Sequence, residues 1–336
     1  MAIIILIAGM MFGAVSFGTS AQAPVSNLFV MDSKTGETTQ ITDTPSYTNQ
    51  PYFDVAGQRL LYTQAMPNGQ MDIWAYHLDE QFHEQITETA LTSEYSPTPI
   101  NLGSAQTPLT DSPEPFTHIS TIQVDPQNKQ WLWLYSATGQ SVGKLFAQEP
   151  IGYHAWVNPR LVVVFVLGEP HTLQLITLVQ SISLQQISEK PTSGFAAQSL
   201  VLDEGIGASI FVTHSTEQSI GHSTDKSSEQ YVIYAKGQSL YRFGLTTKHK
   251  QLVGKLPLGA DYFTLTADNL VVVNDPSNNQ LYQYSVTGIS TTSAIDSANA
   301  LATPTAWHNL ACPDAMSATR LAIHANRYIA YVCQAR

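Results

Sequence analysis

Several short stretches of this chain hold residues that bind ligands or carry chemistry elsewhere. GYHAW sets His154 two residues before Trp156, and GEPHT sets Glu169 two before His171. AWHN joins Trp307 to His308, and EYSP carries Tyr95. Imidazole with carboxylate can hold a metal or pass a proton. Indole and phenol rings stack on sugars or apolar peptide groups and keep one polar atom at the edge. A metal site needs three or four ligands in suitable geometry, and the sequence offers at most His154, Glu169 and His171 as one cluster. No metal is assigned on that basis. The chain has no Gly-x-Ser-x-Gly elbow, no His-Glu-x-x-His, no Walker loop and no Gly-x-Gly-x-x-Gly after a strand. No catalytic residue and no cofactor are expected.

The elements that would position these residues read as strands. NLFVMDSKTGETTQITDT (27–44) aligns without a gap on DIWAYHLDEQFHEQITET (72–89), a shift of 45 residues. Each copy alternates apolar and other residues, turns through a polar stretch and restarts at Gln-Ile-Thr. That is the pattern of a sheet hairpin. Further strand-like runs, among them 161–167, 231–235, 270–274 and 328–333, are separated by turn signals such as Asn68-Gly69 and Asp275-Pro276. No segment after the N-terminal stretch keeps a helical period, so the fold class is all-β. A repeat in the forties with four short strands per unit lies in the range of propeller blades.

Residues 49–87, NQPYFDVAGQRLLYTQAMPNGQMDIWAYHLDEQFHEQIT, resemble the TolB-type repeat of the WD-like propellers. Pro51, Tyr52, Gly57, Leu60, Leu61, Asp72, Ile73, Trp74, Ile86 and Thr87 match its pattern, while the usual Pro-Asp-Gly turn is replaced by Val55-Ala56-Gly57. The resemblance implies a propeller and, by family, a periplasmic scaffold that contacts other envelope proteins. It implies no particular interface residue.

Phasing the repeat gives blades at 49–92, 94–149, 151–190, 194–257 and 259–293, with 303–335 supplying two strands of a sixth. Residues 26–43 supply the other two, so the chain termini close the last blade and leave no open sheet edge in the ring. Six blades are expected, seven being the alternative. On this phasing Trp156 and Trp307 start the third and sixth blades and face each other across the ring, or else pack between blades. His154 and the Glu169–His171 loop would open on the same mouth of the channel, as would Tyr95. The polar insertion HSTEQSIGHSTDKSSEQ (214–230) reads as a loop of the fourth blade. Cys312 and Cys333, the two cysteines of the chain, fall near one another beside the closure, which suggests a disulfide rather than two separate thiols.

Composition narrows the partners. The formal net charge is −11 and only 12% of residues are charged, with no basic stripe. Nucleic acid is excluded as a partner, and anionic membrane surfaces are poor candidates. The first 23 residues, MAIIILIAGMMFGAVSFGTSAQA, are apolar and end in small residues. They read as a signal peptide cleaved best after Ala21, or alternatively as an uncleaved anchor. Residues 24–336 would then form one propeller domain in the periplasm or outside the cell, with no membrane insertion after cleavage. The expected role is a non-enzymatic scaffold that binds an envelope protein or a cell-wall carbohydrate at its channel mouth through Tyr95, His154, Trp156, Glu169, His171, Trp307 and His308. The alternatives are a lyase or glycosidase acting on a polysaccharide, or a channel with a structural role alone.

Overall fold

The computed structural model describes residues 23–54, 58–102, 116–179, 181–182, 194–207, 209–213, 229–285 and 304–335. These residues form six four-stranded antiparallel sheets and no helix. Blade one comprises Thr48–Asp54, Arg59–Ala65, Met71–His77 and Phe82–Gln85. Blade two comprises Ser93–Ile100, His118–Val124, Gln130–Ser136 and Ser141–Lys144. Blade three comprises Ile151–Asn158, Leu161–Val166, Thr172–Leu178 and Ala197–Glu204. Blade four comprises Ile210–Val212, Tyr231–Lys236, Ser239–Gly244 and Lys250–Lys255, and blade five Phe263–Leu265, Leu270–Asp275, Gln280–Ser285 and Thr305–Asn309. In blade six, Met316–His324 and Tyr328–Ala335 pair with each other, and Ser26–Asp32 and Thr38–Gln40 complete the sheet from the N-terminal side.

The sheets close into a six-bladed propeller because each is apolar on both faces. Val162, Val164 and Val166 pack with Ile122, Leu132 and Leu134 of blade two. The intervening Val163 and Phe165 pack with Ile210, Val232 and Tyr234 of blade four. A run of consecutive β-branched residues is therefore what a strand buried on both sides requires. Comparable apolar clusters fill the other junctions, with that of blades six and one built on Leu28, Phe53, Leu60 and Val332. The N-terminal strand runs in register along the closing strand from Ser26↔Gln334 to Asp32↔Tyr328. The ring thus ends in a paired strand instead of an exposed edge.

The 45-residue repeat encodes a hydrogen-bonded clasp. In blade one, Ile73 N donates to Thr87 Oγ1 at 2.8 Å, while Thr87 Oγ1 and Thr89 N both donate to Asp72 Oδ1 at 3.3 Å. In blade six, Leu28 N donates to Thr42 Oγ1 at 2.9 Å, and Thr42 Oγ1 and Thr44 N donate to Asn27 Oδ1 at 3.1 and 2.9 Å. The Asn/Asp-apolar and Thr-x-Thr signatures are the two halves of one device. It fixes the third strand of a blade to the chain leaving its fourth. Thr87→Val keeps the shape and removes the hydroxyl, leaving a buried Ile73 N–H unpaired; it should cost about 1–3 kcal/mol. Urea titration checks this against Thr39→Val on an exposed strand, expected to stay within about 0.5 kcal/mol of the parent.

Two blade boundaries differ from the sequence phasing. Ala197–Glu204 is the outermost strand of blade three, not part of blade four, and Thr305–Asn309 is the outermost strand of blade five, not the start of blade six. An outermost strand packs along one edge only, so its sequence lacks the two-sided apolar pattern. Leu200 and Val201 of Ala197–Glu204 are in fact exposed. The 214–230 insertion lies, apart from Glu229 and Gln230, outside the described residues.

Candidate ligand channel

The innermost strands of the six blades surround a cavity of about 450 Å³. Three of these strands carry a bulge at a corresponding place. In blade one Asn49 pairs with Thr63 and Tyr52 with Leu61, so Gln50-Pro51 stand opposite a single residue. Ser96-Pro97 do the same in blade two, and Thr319-Arg320 in blade six. Bulges bend a strand and redirect its side chains. Gln50 and Ser96 adopt positive φ of 57° and 53°, and Gln50 Oε1 ties the two bulges together by accepting from Ser96 N at 2.8 Å and Thr63 Oγ1 at 3.0 Å. Arg320 stands where the other two bulges have proline. Gln50, Pro51, Ser96, Pro97 and Arg320 all line the cavity.

Among the described residues, Arg320 is the one lysine or arginine in the lining, and no Asp or Glu lines it. Its guanidinium carbon lies 3.8 Å from the ring centre of Tyr262 and 4.5 Å from that of Tyr153, which reach it from blades five and three. Such contacts favour a cation but satisfy none of its N–H donors. Burial lowers the Arg320 pKa to about 10, with the Tyr47 phenol opposing that shift, so the group is charged at neutral pH. Tyrosines around the channel are held neutral, chiefly by burial: Tyr47 and Tyr52 are pushed up to about 12, and Tyr262 is also raised.

His154 and Trp156 meet at Ser120 of blade two. Ser120 Oγ donates to the Thr98 carbonyl at 3.1 Å and accepts from Trp156 Nε1 at 2.9 Å. Its other lone pair faces His154 Nε2 at 2.8 Å, so Nε2 carries the ring proton and Nδ1 is a bare acceptor. Nδ1 is buried without a hydrogen-bond partner among the described residues, as are Tyr153 Oη and Ser96 Oγ. All three residues line the cavity. Burial lowers the His154 pKa to about 3 and keeps the ring neutral.

The other residues singled out from sequence lie apart. His171 packs edge-on to Phe165 at 5.1 Å, and its Nδ1 accepts from Gly168 N at 3.1 Å. Phe165 belongs to the core shared with blade four, whereas Trp156 belongs to that shared with blade two. His154 and His171 are thus bound into opposite sides of blade three, Glu169 is exposed, and the three form no cluster. No group of three metal-capable side chains occurs among the described residues. Trp307 packs against the core between blades five and six, with His308 at 4.9 Å from its ring. Both sit on an outermost strand and do not face Trp156 across the ring. Tyr95 packs against the core of blades two and three, and burial first, then Tyr47, raises its pKa to about 12. The lining reaches Phe116, Gln230, Ala267 and Ala325, in the connections between first and second strands, and omits Tyr47 and Tyr95. The lining also includes Ser209 and Tyr262, which precede the innermost strands of blades four and five, so it spans the channel wall from one end of these strands to the other.

The sequence reading missed Arg320 and Tyr262, and it marked Tyr153 only as part of the GYHAW stretch. The signal it could have used is a solitary arginine inside MSATRLAIH, an otherwise uncharged strand up to its final histidine.

No family model matches the chain, and no curated protein matches it. Solved structures do. The "putative TolB" of Agrobacterium tumefaciens superposes with a TM-score of 0.57 at 12% identity, over 94% of this chain and 99% of that one. A protein of unknown function from Bacteroides thetaiotaomicron gives a TM-score of 0.47 at 10% identity, over 92% and 76% of the two chains. At these identities the likeness to the first is one of fold, and it is the fold implied by the repeat at residues 49–87.

Proposed function

We propose that the chain is an exported, non-enzymatic scaffold that takes a protein or cell-envelope ligand into its central channel. The observation that carries this reading is the composition of the channel wall. The chain has 26 acidic residues, yet among the described residues the lining has none and holds a single arginine among aromatic, apolar and uncharged polar side chains. Concave, largely apolar sites with few polar groups are what ligand binding uses. A glycosidase would instead place two carboxyl groups about 5–10 Å apart across the scissile bond, and no described residue of this wall carries one. Export is supported by the apolar residues 1–23 and by the Cys312–Cys333 disulfide, since such bonds persist in oxidising compartments. No helix among the described residues is long and apolar enough to cross a membrane.

The test is capture from envelope extract. Ala267 lines the cavity at its turn end and is exposed, so Ala267→Trp should obstruct entry while sparing the blades. Species retained by the parent and by Thr39→Trp, on the outer strand of blade six, should be lost from Ala267→Trp. An unchanged set of captured species would rule out the channel as the binding surface.

A further inference from the structure

The channel wall also indicates what kind of group it receives, an inference that rests on the channel-binding reading above. We propose that Arg320 is a carboxylate-binding residue and that the channel takes the free C-terminal end of a peptide. The guanidinium is fixed against two tyrosine rings from blades three and five, so little freedom remains to be lost on binding. Among the described residues, none of its N–H donors meets an acceptor and no acidic side chain lines the cavity with it. An arginine fork left in this condition matches the two oxygens of a carboxylate. The Tyr153 ring lies against the same cation, and its hydroxyl is a buried donor without a partner among the described residues that a ligand reaching past the ring would satisfy. His154 Nδ1 is an acceptor in the same wall. A peptide end presents the complementary set: a carboxylate to accept and amide N–H groups to donate.

The walls favour peptide over a sugar acid. A uronic acid exposes a hydroxyl on nearly every carbon and needs many side-chain partners. Among the described residues this lining has no Asp, Glu or Asn; its hydroxyl and amide side chains, such as Gln50, Thr98 and Gln230, alternate with Phe53, Phe116, Phe211, Phe263 and Ile323, the mixture an extended peptide with apolar side chains requires. The inner strands also turn an edge of their sheets toward the channel, offering backbone groups to an extended chain.

Isothermal titration with three probes tests the proposal: the tripeptide Ala-Phe-Ala as free acid, the same peptide as C-terminal amide, and Ala-Glu-Ala amide. The parent should bind the free acid about 10- to 100-fold more tightly than its amide, the range expected for a charge-assisted bidentate contact. Arg320→Met should abolish that preference, and Arg320→Lys should keep part of it; the lysine variant serves if the methionine variant does not fold. Tyr153→Phe should weaken the free acid alone, by a smaller factor. If Ala-Glu-Ala amide binds as tightly as the free acid, the C-terminal assignment is overturned and Arg320 is a site for side-chain carboxylates. Equal binding of acid and amide, a preference that survives Arg320→Met, or no saturable binding of the acid would overturn the proposal. Its failure is separable from that of the scaffold reading. Envelope capture lost in Ala267→Trp but retained in Arg320→Met would remove the carboxylate site and leave the channel as the binding surface.

Discussion

Replacing Cys312 and Cys333 together by alanine should cost about 3 kcal/mol, from the chain entropy of a loop spanning 21 residues. The bond fastens the connection between blades five and six to the closing strand. The same contact region includes Tyr331, whose hydroxyl donates to the Ala311 carbonyl at 2.7 Å and whose ring stacks on Phe29 of the N-terminal strand at 5.6 Å. Cys333 is wholly buried among these residues, so alanine, without a hydroxyl to desolvate, is the cleaner substitute. The effect concerns closure: the disulfide, the Tyr331 bond and the paired N-terminal strand all hold the one place where the ring joins ends of the chain. Thermal melting should show a midpoint lower by roughly 5 °C, and reduced parent protein should match the double variant. A midpoint indifferent to reductant would mean that strand pairing closes the ring without help from the bond.

Gly139→Ala should be more damaging still. Gly139 turns the third strand of blade two into its fourth with φ +83°, and a Cβ there would lie 1.6 Å from the carbonyl oxygen of Ile86 in blade one. The obstruction is backbone, so no side chain can rotate away. Two costs add: a left-handed conformation, about 1–2 kcal/mol for a residue with a Cβ, and separation of the two blades. A total above about 3 kcal/mol is expected. Gly36→Ala incurs the first cost alone, so the difference between the two variants isolates the second. Gly36 has φ +76° in a turn of blade six, but an added Cβ meets nothing within 4 Å. Urea midpoints for the two variants should differ clearly. Equal losses would show that only the backbone conformation mattered and that blades one and two tolerate displacement.

Much of the architecture was legible in the chain because it rests on local, repeated chemistry. The Gln-Ile-Thr repeat marks the clasp of Asp72 with Thr87 and Thr89, and of Asn27 with Thr42 and Thr44. The β-branched run at 161–166 marks a strand buried on both faces. The terminal strands announced the closure, since neither end carries a whole blade. Outermost strands were misassigned because one-sided packing leaves little pattern to read. The grouping of His154 with His171 failed for a different reason. Successive residues of a strand face opposite sides, so neighbours in sequence can serve different interfaces. His154 reaches Ser120 of blade two, while Phe165, one strand away, carries His171 toward blade four.

The sequence by itself determined an all-β propeller repeat, the closing pair of strands and the cysteines that could fasten them. Each of these follows from periodicity and from residues close together in the chain or near its two ends. The choice of six blades over seven came with the structure. Only the tertiary structure decided the channel. Arg320, Tyr153 and Tyr262 stand on three different blades, and a two-residue bulge brings the arginine into the channel wall. No spacing rule links residues 153, 262 and 320, because ring closure, not sequence distance, makes them neighbours. The strand reading found the blades; the charge in the middle of them is a property of the closed ring.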